Sequence, residues 1–469
     1  MAAPTLATMS TNTARKGAPK AAYRCAECGW TASKWVGRCG ECQAWGSVAE
    51  VGDVPVRTTS AGPVTAPATP ILEVDAQLAA ARPTGISELD RVLGGGLVPG
   101  AVVLVAGEPG IGKSTLVLDA CGKAGRDGRR VLYITGEESA AQVRLRAERI
   151  EALARTLYLA AETDLGAVLG HIDTVRPDVV VVDSVQTIGS AQVDGAAGNV
   201  AQVREVAAAL IAVAKARGIA VFLVGHVTKD GSIAGPRVLE HLVDVVLQFE
   251  GDRHSRLRLV RAVKNRYGPT DEVGCFDLSD AGIIGLPDPS GLFLSERAST
   301  VPGTCVTVTL EGRRPLVVEV QSLVAPTQAP NPRRATSGLD SSRVAMVLAV
   351  LDRRAAVPLR SADVYLSTIG GVRVSEPAAD LAIALAVGSA AADRPLRPLT
   401  VAIGEVGLAG EIRPVTGVLR RLAEAARLGF TTAIVPPGVL GSGTLPEGLT
   451  VVEAPDLTAA VRRATMRAL

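Results

Sequence analysis

GEPGIGKST, Gly107 to Thr115, matches G-x-x-x-x-G-K-[ST] and sits between the strand-like run VVLVA and the helical pattern STLVLDACGKA. Strand, glycine-rich loop and helix in that order are the context the motif requires. Glycines let backbone N–H groups face phosphate oxygens at the helix N-terminus. The spacing therefore makes Gly107, Glu108, Pro109, Gly110, Ile111, Gly112, Lys113, Ser114 and Thr115 a cradle for ATP. Lys113 is expected to reach the β- and γ-phosphates, and Ser114 to ligate Mg2+.

Outward from this loop, apolar runs alternate with helical patterns from about residue 84 to 285: VVLVAG, VLYITG, VVVVDS, AVFLVGH, DVVLQFE and LRLVRAV. Strands buried on both faces read this way, so the expectation is an α/β domain with a mostly parallel sheet covered by helices. VVVVDS ends in Asp183, where a carboxylate faces the loop and holds Mg2+ through water. VLYITGEES ends in Glu137 and Glu138; one carboxylate beside the γ-phosphate could orient or deprotonate the attacking water. Glu137, the first residue past the strand turn, is the preferred base; helix-capping acids are the plainer reading of the pair. AVFLVGH ends in His226, which is either a structural histidine or a γ-phosphate sensor for the Gly-rich loop VTKDGSIAGP behind it.

At 469 residues the chain is longer than one core usually grows, so two or three domains are expected. Lys plus Arg number 49 against 47 Asp plus Glu, a net charge of +2, so any nucleic-acid surface must be a local patch. No apolar run of about 20 residues spans a membrane, and residues 1–22 lack a secretory h-region and read as a disordered leader. Seven cysteines, an odd number, fit a reducing cytoplasmic setting better than a disulfide framework. Four of them, Cys25, Cys28, Cys39 and Cys42 in CAECGWTASKWVGRCGEC, have C-x2-C-x10-C-x2-C spacing. Two close thiolate pairs converge tetrahedrally on Zn2+ and leave no open position for catalytic water, so residues 23–48 are expected to be a structural zinc ribbon. A Pro/Thr-rich linker, 49–83, separates it from the ATPase domain at 84–285. Short alternating strands and a Pro-rich break mark a third domain at 286–469.

One stretch stays open on local reading. KNRYG comprises Lys264, Asn265, Arg266, Tyr267 and Gly268, and alone it reads as a basic surface turn. Its surroundings, RHSRLRLVRAVKNRYG, carry Arg253, Arg256, Arg258, Arg261, Lys264 and Arg266 with no acid among them.

Strand–P-loop, strand–Glu, strand–Asp and strand–His in this order resemble the RecA-like ATPase core. TGISELDRVLGGGLVPG, residues 84–100, resembles the lead-in of RecA/KaiC-type proteins. With the four-cysteine module in front and KNRYG behind, residues 23–469 resemble the bacterial RadA family, also called Sms, of DNA repair and recombination ATPases. KNRYG then corresponds to that family's KNRFG motif, with Tyr267 in place of Phe. The resemblance implies a hexameric ring in which Lys264 or Arg266 contacts a neighbour's γ-phosphate, or DNA. It implies single-stranded and branched DNA and the RecA recombinase as partners, in branch migration of recombination intermediates. Lys229, in the loop after His226, and TIGSAQVDGAAGNVAQVRE would face inward toward a DNA strand.

GEVGLAGEIRPVTGVLRRLAEAARLGF resembles the Lon proteolytic domain around its catalytic Lys. Ala378, in EPAAD, stands where the nucleophilic Ser belongs, Leu419 stands where the Lys belongs, and Ser375 is out of register. Without hydroxyl or amine, acyl transfer has no nucleophile and no base. The expectation is a scaffold that assembles the ring and offers basic surface to DNA. Two rival functions are a nucleotide-gated regulatory ring of the KaiC type, and an ATP-dependent protease, which the absent dyad disfavours.

Overall fold

The computed structural model describes residues 23–50, 68–226, 239–251, 256–279, 282–289, 301–369, 372–439, 441 and 443–465. The expected leader, most of the linker, Arg253 and the loop carrying Lys229 lie outside the described residues. The chain divides into two units, Met1–Val74 and Asp75–Leu469.

In the first unit β1 (Tyr23–Cys25), β2 (Thr31–Ala32) and β3 (Val48–Glu50) pair antiparallel in the order β2-β1-β3. Its buried apolar set is Cys25, Cys39 and Val48, too few to hold a fold without metal.

The second unit begins with α1 (Ser87–Leu93) and β4 (Val102–Gly107). It continues through α2 (Lys113–Arg126), β5 (Val131–Thr135), α3 (Ala140–Arg149), β6 (Leu157–Ala161), α4 (Leu165–Val175) and β7 (Val179–Asp183). Next come α5 (Val200–Arg217), β8 (Ala220–His226), β9 (Val245–Glu250), β10 (Leu257–Asn265), β11 (Val273–Ser279) and β12 (Gly282–Gly285). The sheet order is β12-β11-β10-β9-β4-β8-β7-β5-β6. From β9 to β6 neighbours run parallel; β10, β11 and β12 extend the sheet antiparallel. Alternate residues feed two cores: Val103, Val105 and Val181 enter one, Val102, Leu104 and Val182 the other. β6, β11 and β12 escaped the sequence reading, because LYLAA, VGCFDLS and GIIG are short or broken by polar residues and glycine.

Behind it lies a second, seven-stranded sheet of order β15-β16-β14-β13-β17-β20-β21. Its elements are β13 (Thr304–Glu311), β14 (Arg314–Pro326), β15 (Arg334–Ser337), α6 (Ser341–Arg354), β16 (Ala362–Thr368), α7 (Asp380–Ala392) and β17 (Thr400–Ala402). A separate pair, β18 (Glu405–Val406) and β19 (Ile412–Arg413), precedes α8 (Val418–Arg427), β20 (Thr432–Val435), β21 (Thr450–Glu453) and α9 (Leu457–Ala464). α7 is buried from Asp380 through Ser389, as an all-round apolar helix must be. Leu257 and Cys275, on β10 and β11, are buried in the same cluster as Leu316, Val318 and Leu351. The two sheets of this unit therefore share a core.

Candidate functional site

The P-loop leaves β4 at Gly107 and enters α2 at Lys113. Gly110 and Gly112 take φ of +76° and +111°, a region side chains avoid, which lets the loop curl around an anion. Lys113 is 3% exposed, and its Nζ donates to the carbonyls of Gly107 (2.9 Å) and Glu108 (2.8 Å). Burial lowers its pKa to about 8, against the pull of the Asp183 and Glu137 carboxylates.

Asp183, at the end of β7, is 5% exposed. Its Oδ2 accepts from the Tyr133 hydroxyl, and its buried Oδ1 has no partner among the described residues. A water bound to Mg2+ is the kind of donor that would satisfy this oxygen. Tyr133 lies wholly within β5; burial first, then the Asp183 charge, holds its hydroxyl protonated.

Glu137 and Glu138 differ sharply. Glu138 pairs with Arg146 of α3 at 2.9 Å and exchanges bonds with the Thr135 hydroxyl. Glu137 instead accepts from the Ser184 hydroxyl and lies 3.0 Å from His226 Nε2. His226 Nδ1 and Gln186 Oε1 are buried without partners among the described residues. Asp183, Gln186 and His226 thus leave three open polar valences at the C-terminal ends of β7 and β8, beside the P-loop, where ligands bind in open α/β sheets. Past Thr115, an open cleft of about 670 Å3 runs along α2 between Asp119, Lys123, Arg126, Arg149, Glu151 and Ile283.

KNRYG is not a free basic turn. Lys264 Nζ donates to the carbonyls of Glu240 and Val243, both at 2.8 Å. Asn265 donates to the Val92 carbonyl at 3.2 Å and accepts from the Tyr267 N–H at 2.9 Å. The Tyr267 hydroxyl meets Lys215, which pairs with buried Asp244 at 2.6 Å; Asp244 in turn accepts from Val102 N–H at the start of β4. Of the two cations only Arg266 projects, its side chain 58% exposed and its Nε 3.9 Å from Asp244. Neither cation touches its own P-loop.

The acid-free appearance of the surrounding run needs correction. Arg256 pairs with Asp277, and Arg261 pairs with both Glu250 and Glu311. Arg258 is buried with its Nη1 on the Leu257 carbonyl. The acids come from neighbouring strands, which linear sequence does not show. In the other expected DNA segment, buried Gln202 holds the loop from inside, accepting from Ser190 N–H (2.7 Å) and donating to the carbonyls of Ser190 (3.0 Å) and Gly195 (3.2 Å).

In the ribbon, the Sγ atoms of Cys25, Cys28, Cys39 and Cys42 lie within 4.8 Å of one another. Cys25 and Cys42 are 3.6 Å apart, Cys28 and Cys39 3.5 Å. Tetrahedral zinc with bonds of about 2.3 Å spaces its sulfurs by roughly 3.8 Å, so the set fits Zn2+. Cys121, Cys275 and Cys305 are buried core thiols, and burial pushes all three up, Cys275 to about 12.

Comparison with known proteins agrees with these three parts. Residues 67–232 match the AAA domain family model, 23–50 the rubredoxin metal binding domain, and 342–438 subunit ChlI of Mg-chelatase. DNA repair protein RadA of Mycolicibacterium smegmatis is 57% identical over 455 residues, 95% of this chain and 96% of that one. Those of Mycobacterium tuberculosis H37Rv and Streptococcus pyogenes serotype M1 are 55% and 46% identical, covering 94% and 92% of this chain and 92% and 96% of theirs. The chain belongs to the RadA family of DNA repair proteins. Its fold is α/β: a RecA-like P-loop core, a zinc ribbon before it and a Lon-like domain behind it. A solved KaiC-like protein from Pyrococcus horikoshii OT3, 20% identical, aligns over 45% of this chain and all of its own with a TM-score of 0.38.

In the Lon-like domain Ala378 is buried, 1% exposed, and offers a methyl group where a nucleophile would stand. Close by, Arg421, also 1% exposed, binds Glu376 through both Nη atoms at 2.6 and 2.8 Å. Its remaining donors go to the carbonyls of Val308 (2.6 Å) and Thr416 (3.1 Å). Leu419, two residues earlier on α8, is half-buried. Sequence reading passed over this pair, as it did Tyr133 and Arg146. A lone tyrosine inside the apolar strand VLYIT was the signal for Tyr133. Among the described residues no helix is long and apolar enough to cross a membrane.

Proposed function

We propose that this chain is a cytoplasmic, DNA-dependent ATPase that drives processing of recombination intermediates on single-stranded and branched DNA, alongside the RecA recombinase. The observation that carries the reading is the convergence of Lys113, Asp183, Glu137 and His226 on one strand edge with polar valences left open toward the P-loop. Family membership supports the DNA repair context.

In this reading Ser114 and, through water, Asp183 would hold Mg2+, which when bound would supply charge stabilisation of the phosphates. Lys113 exchanges its two carbonyl bonds for phosphate oxygens. Glu137 positions the attacking water and accepts its proton, while Ser184 and His226 fix the carboxylate. Because His226 shares that carboxylate, departure of the γ-phosphate alters the bonding of His226. Subunits assemble as a hexameric ring. Arg266, the one projecting cation of KNRYG, stabilises a neighbour's transition-state charge. Lys264 braces the turn. We assign 84–285 to the motor, 286–469 to a scaffold without peptidase activity, and 23–48 to a zinc module.

The test is ATP turnover with and without single-stranded DNA for the intact chain, Lys264→Ala and Arg266→Ala. Stimulation lost in Arg266→Ala with rings still formed supports the motor. An intact chain that DNA leaves unstimulated would favour a nucleotide-gated regulatory ring instead.

A further inference from the structure

The tip of the β13–β14 hairpin, Glu311-Gly312-Arg313-Arg314, belongs to the Lon-like domain, where Arg420 donates to the Arg313 carbonyl at 3.3 Å, but it also reaches onto the ATPase core. Arg314, 7% exposed, forms an ion pair with Glu88 of α1, 1% exposed. It also donates to the carbonyls of Val273 (3.1 Å), Leu286 (2.8 Å) and Pro287 (2.7 Å). The Arg313 N–H donates to the Asp271 carbonyl, and its guanidinium lies 3.4 Å from the Asp271 carboxylate. Gly312, at φ +60°, passes so close to the Asp271 backbone that a Cβ would overlap it. Glu311 takes Arg261 of β10.

What the tip grips is the connection from β10 to β11, residues 266–272, which carries Arg266, Tyr267 and Gly268. The same α1 is held from the turn's side. Asn265 bonds the Val92 carbonyl, and the backbones of Gly268 and Gly94 abut so closely that a Cβ on either would come within 3.0 Å of the other's Cα. Arg91 reaches Glu88 at 3.6 Å and Glu272 at 3.7 Å, and Glu88 accepts from Cys275 N–H at 2.9 Å. Tip, helix and turn are thus interlocked through buried, directional bonds with little room to shift.

We infer that this hairpin tip sets the position of the KNRYG turn, making Glu311 to Arg314 positioning residues for Arg266. The inference rests on the trans role proposed for Arg266. A guanidinium that must meet a neighbour's phosphate acts through preorganisation, and its projecting side chain has little bracing of its own. The Lon-like domain supplies that bracing from outside the motor sheet. A domain with no peptidase dyad then has a mechanical role within each subunit as well as between subunits.

Arg314→Ala would leave buried Glu88 with only the longer Arg91 contact at 3.6 Å and risks the fold. The decisive variants are therefore Gly312→Ala, which crowds Asp271, and Arg313→Ala, which removes a half-exposed pair. Both are made in the full-length chain, alone and with Arg266→Ala. Hydrogen exchange of the peptide spanning 264–272 should quicken several-fold, with the P-loop peptide unchanged. DNA-stimulated kcat should fall about 10- to 100-fold with KM for ATP and ring mass unchanged. Combined with Arg266→Ala, the tip variants should slow turnover no further, which a general loss of stability would not produce. Unchanged exchange, or losses that multiply with Arg266→Ala, would overturn the positioning role. Arg266→Ala at the intact rate would overturn the trans reading itself.

Discussion

At the C-terminal ends of β7 and β8, Asp183 Oδ1, Gln186 Oε1 and His226 Nδ1 are buried without partners among the described residues. Around Glu376 and Arg421 the opposite holds: the carboxylate and guanidinium bind each other twice, and the spare donors end on carbonyls. Both regions bury charge beside a helix. A buried polar atom left open costs about 1–3 kcal/mol, so it persists where a ligand or water completes it. A closed pair offers nothing to a substrate. Thr307 and Thr309 Oγ1, beside the Val308 carbonyl, are also buried without partners among the described residues, so the contrast lies in titratable groups left open beside a P-loop against a charge pair closed on itself.

The strongest challenge to that contrast is Asp183→Asn. If Oδ1 is the open valence for magnesium-bound water, ATP turnover should fall about 1,000-fold, the several kcal/mol that metal charge stabilisation supplies. Nucleotide binding without magnesium should be retained. Turnover within a few-fold of the intact chain would mean the open oxygen has no catalytic use.

Next in size is the difference between the two acids. Glu137→Gln should cost about 100-fold in kcat, the scale of general-base catalysis. Glu138→Gln should cost only a few-fold, because it disturbs Arg146 and, through it, Tyr133 behind Asp183. Equal losses in the two variants would erase the distinction drawn from Ser184 and His226.

On the closed side, Glu376→Ala should leave turnover unchanged and lower stability by about 3 kcal/mol, since it strands the Arg421 charge in the interior. Urea denaturation with the activity assay alongside checks both halves. A large loss of activity at full stability would make the pair part of a site after all.

How much of this was legible depended on the range of the contacts. The P-loop and the two cysteine pairs are legible because each is a pattern of residues a few positions apart. The arginine run around β10 holds no acid within its own sequence, and its ion pairs stay hidden there because Glu250, Asp277 and Glu311 reach it from other strands. The choice between Lys264 and Arg266 could not be made from KNRYG, because it turns on carbonyls of Glu240 and Val243 brought in by the sheet. Glu88 and Arg314, 226 positions apart, gave no local sign of pairing.

The smallest effect tests the open site through its proton. Burial lowers Lys113 to about 8, so in the ATP-free protein the ammonium gives up its proton as pH rises through that value. Its unfolded value is 10.5. Between these two pH values the unfolded chain holds more protons than the fold, so this group makes stability rise with pH across that window. Phosphate oxygens at Nζ favour the charged form and raise the pKa again. ATP binding near pH 8.5 should therefore take up a fraction of a proton, and affinity should decline as pH climbs above 8. Titration calorimetry in two buffers of different protonation enthalpy measures the uptake directly. Lys113→Arg keeps its charge throughout and should show none. Equal heats in both buffers for the intact chain would mean that Lys113 stays charged despite its burial, held by the carboxylates of Asp183 and Glu137.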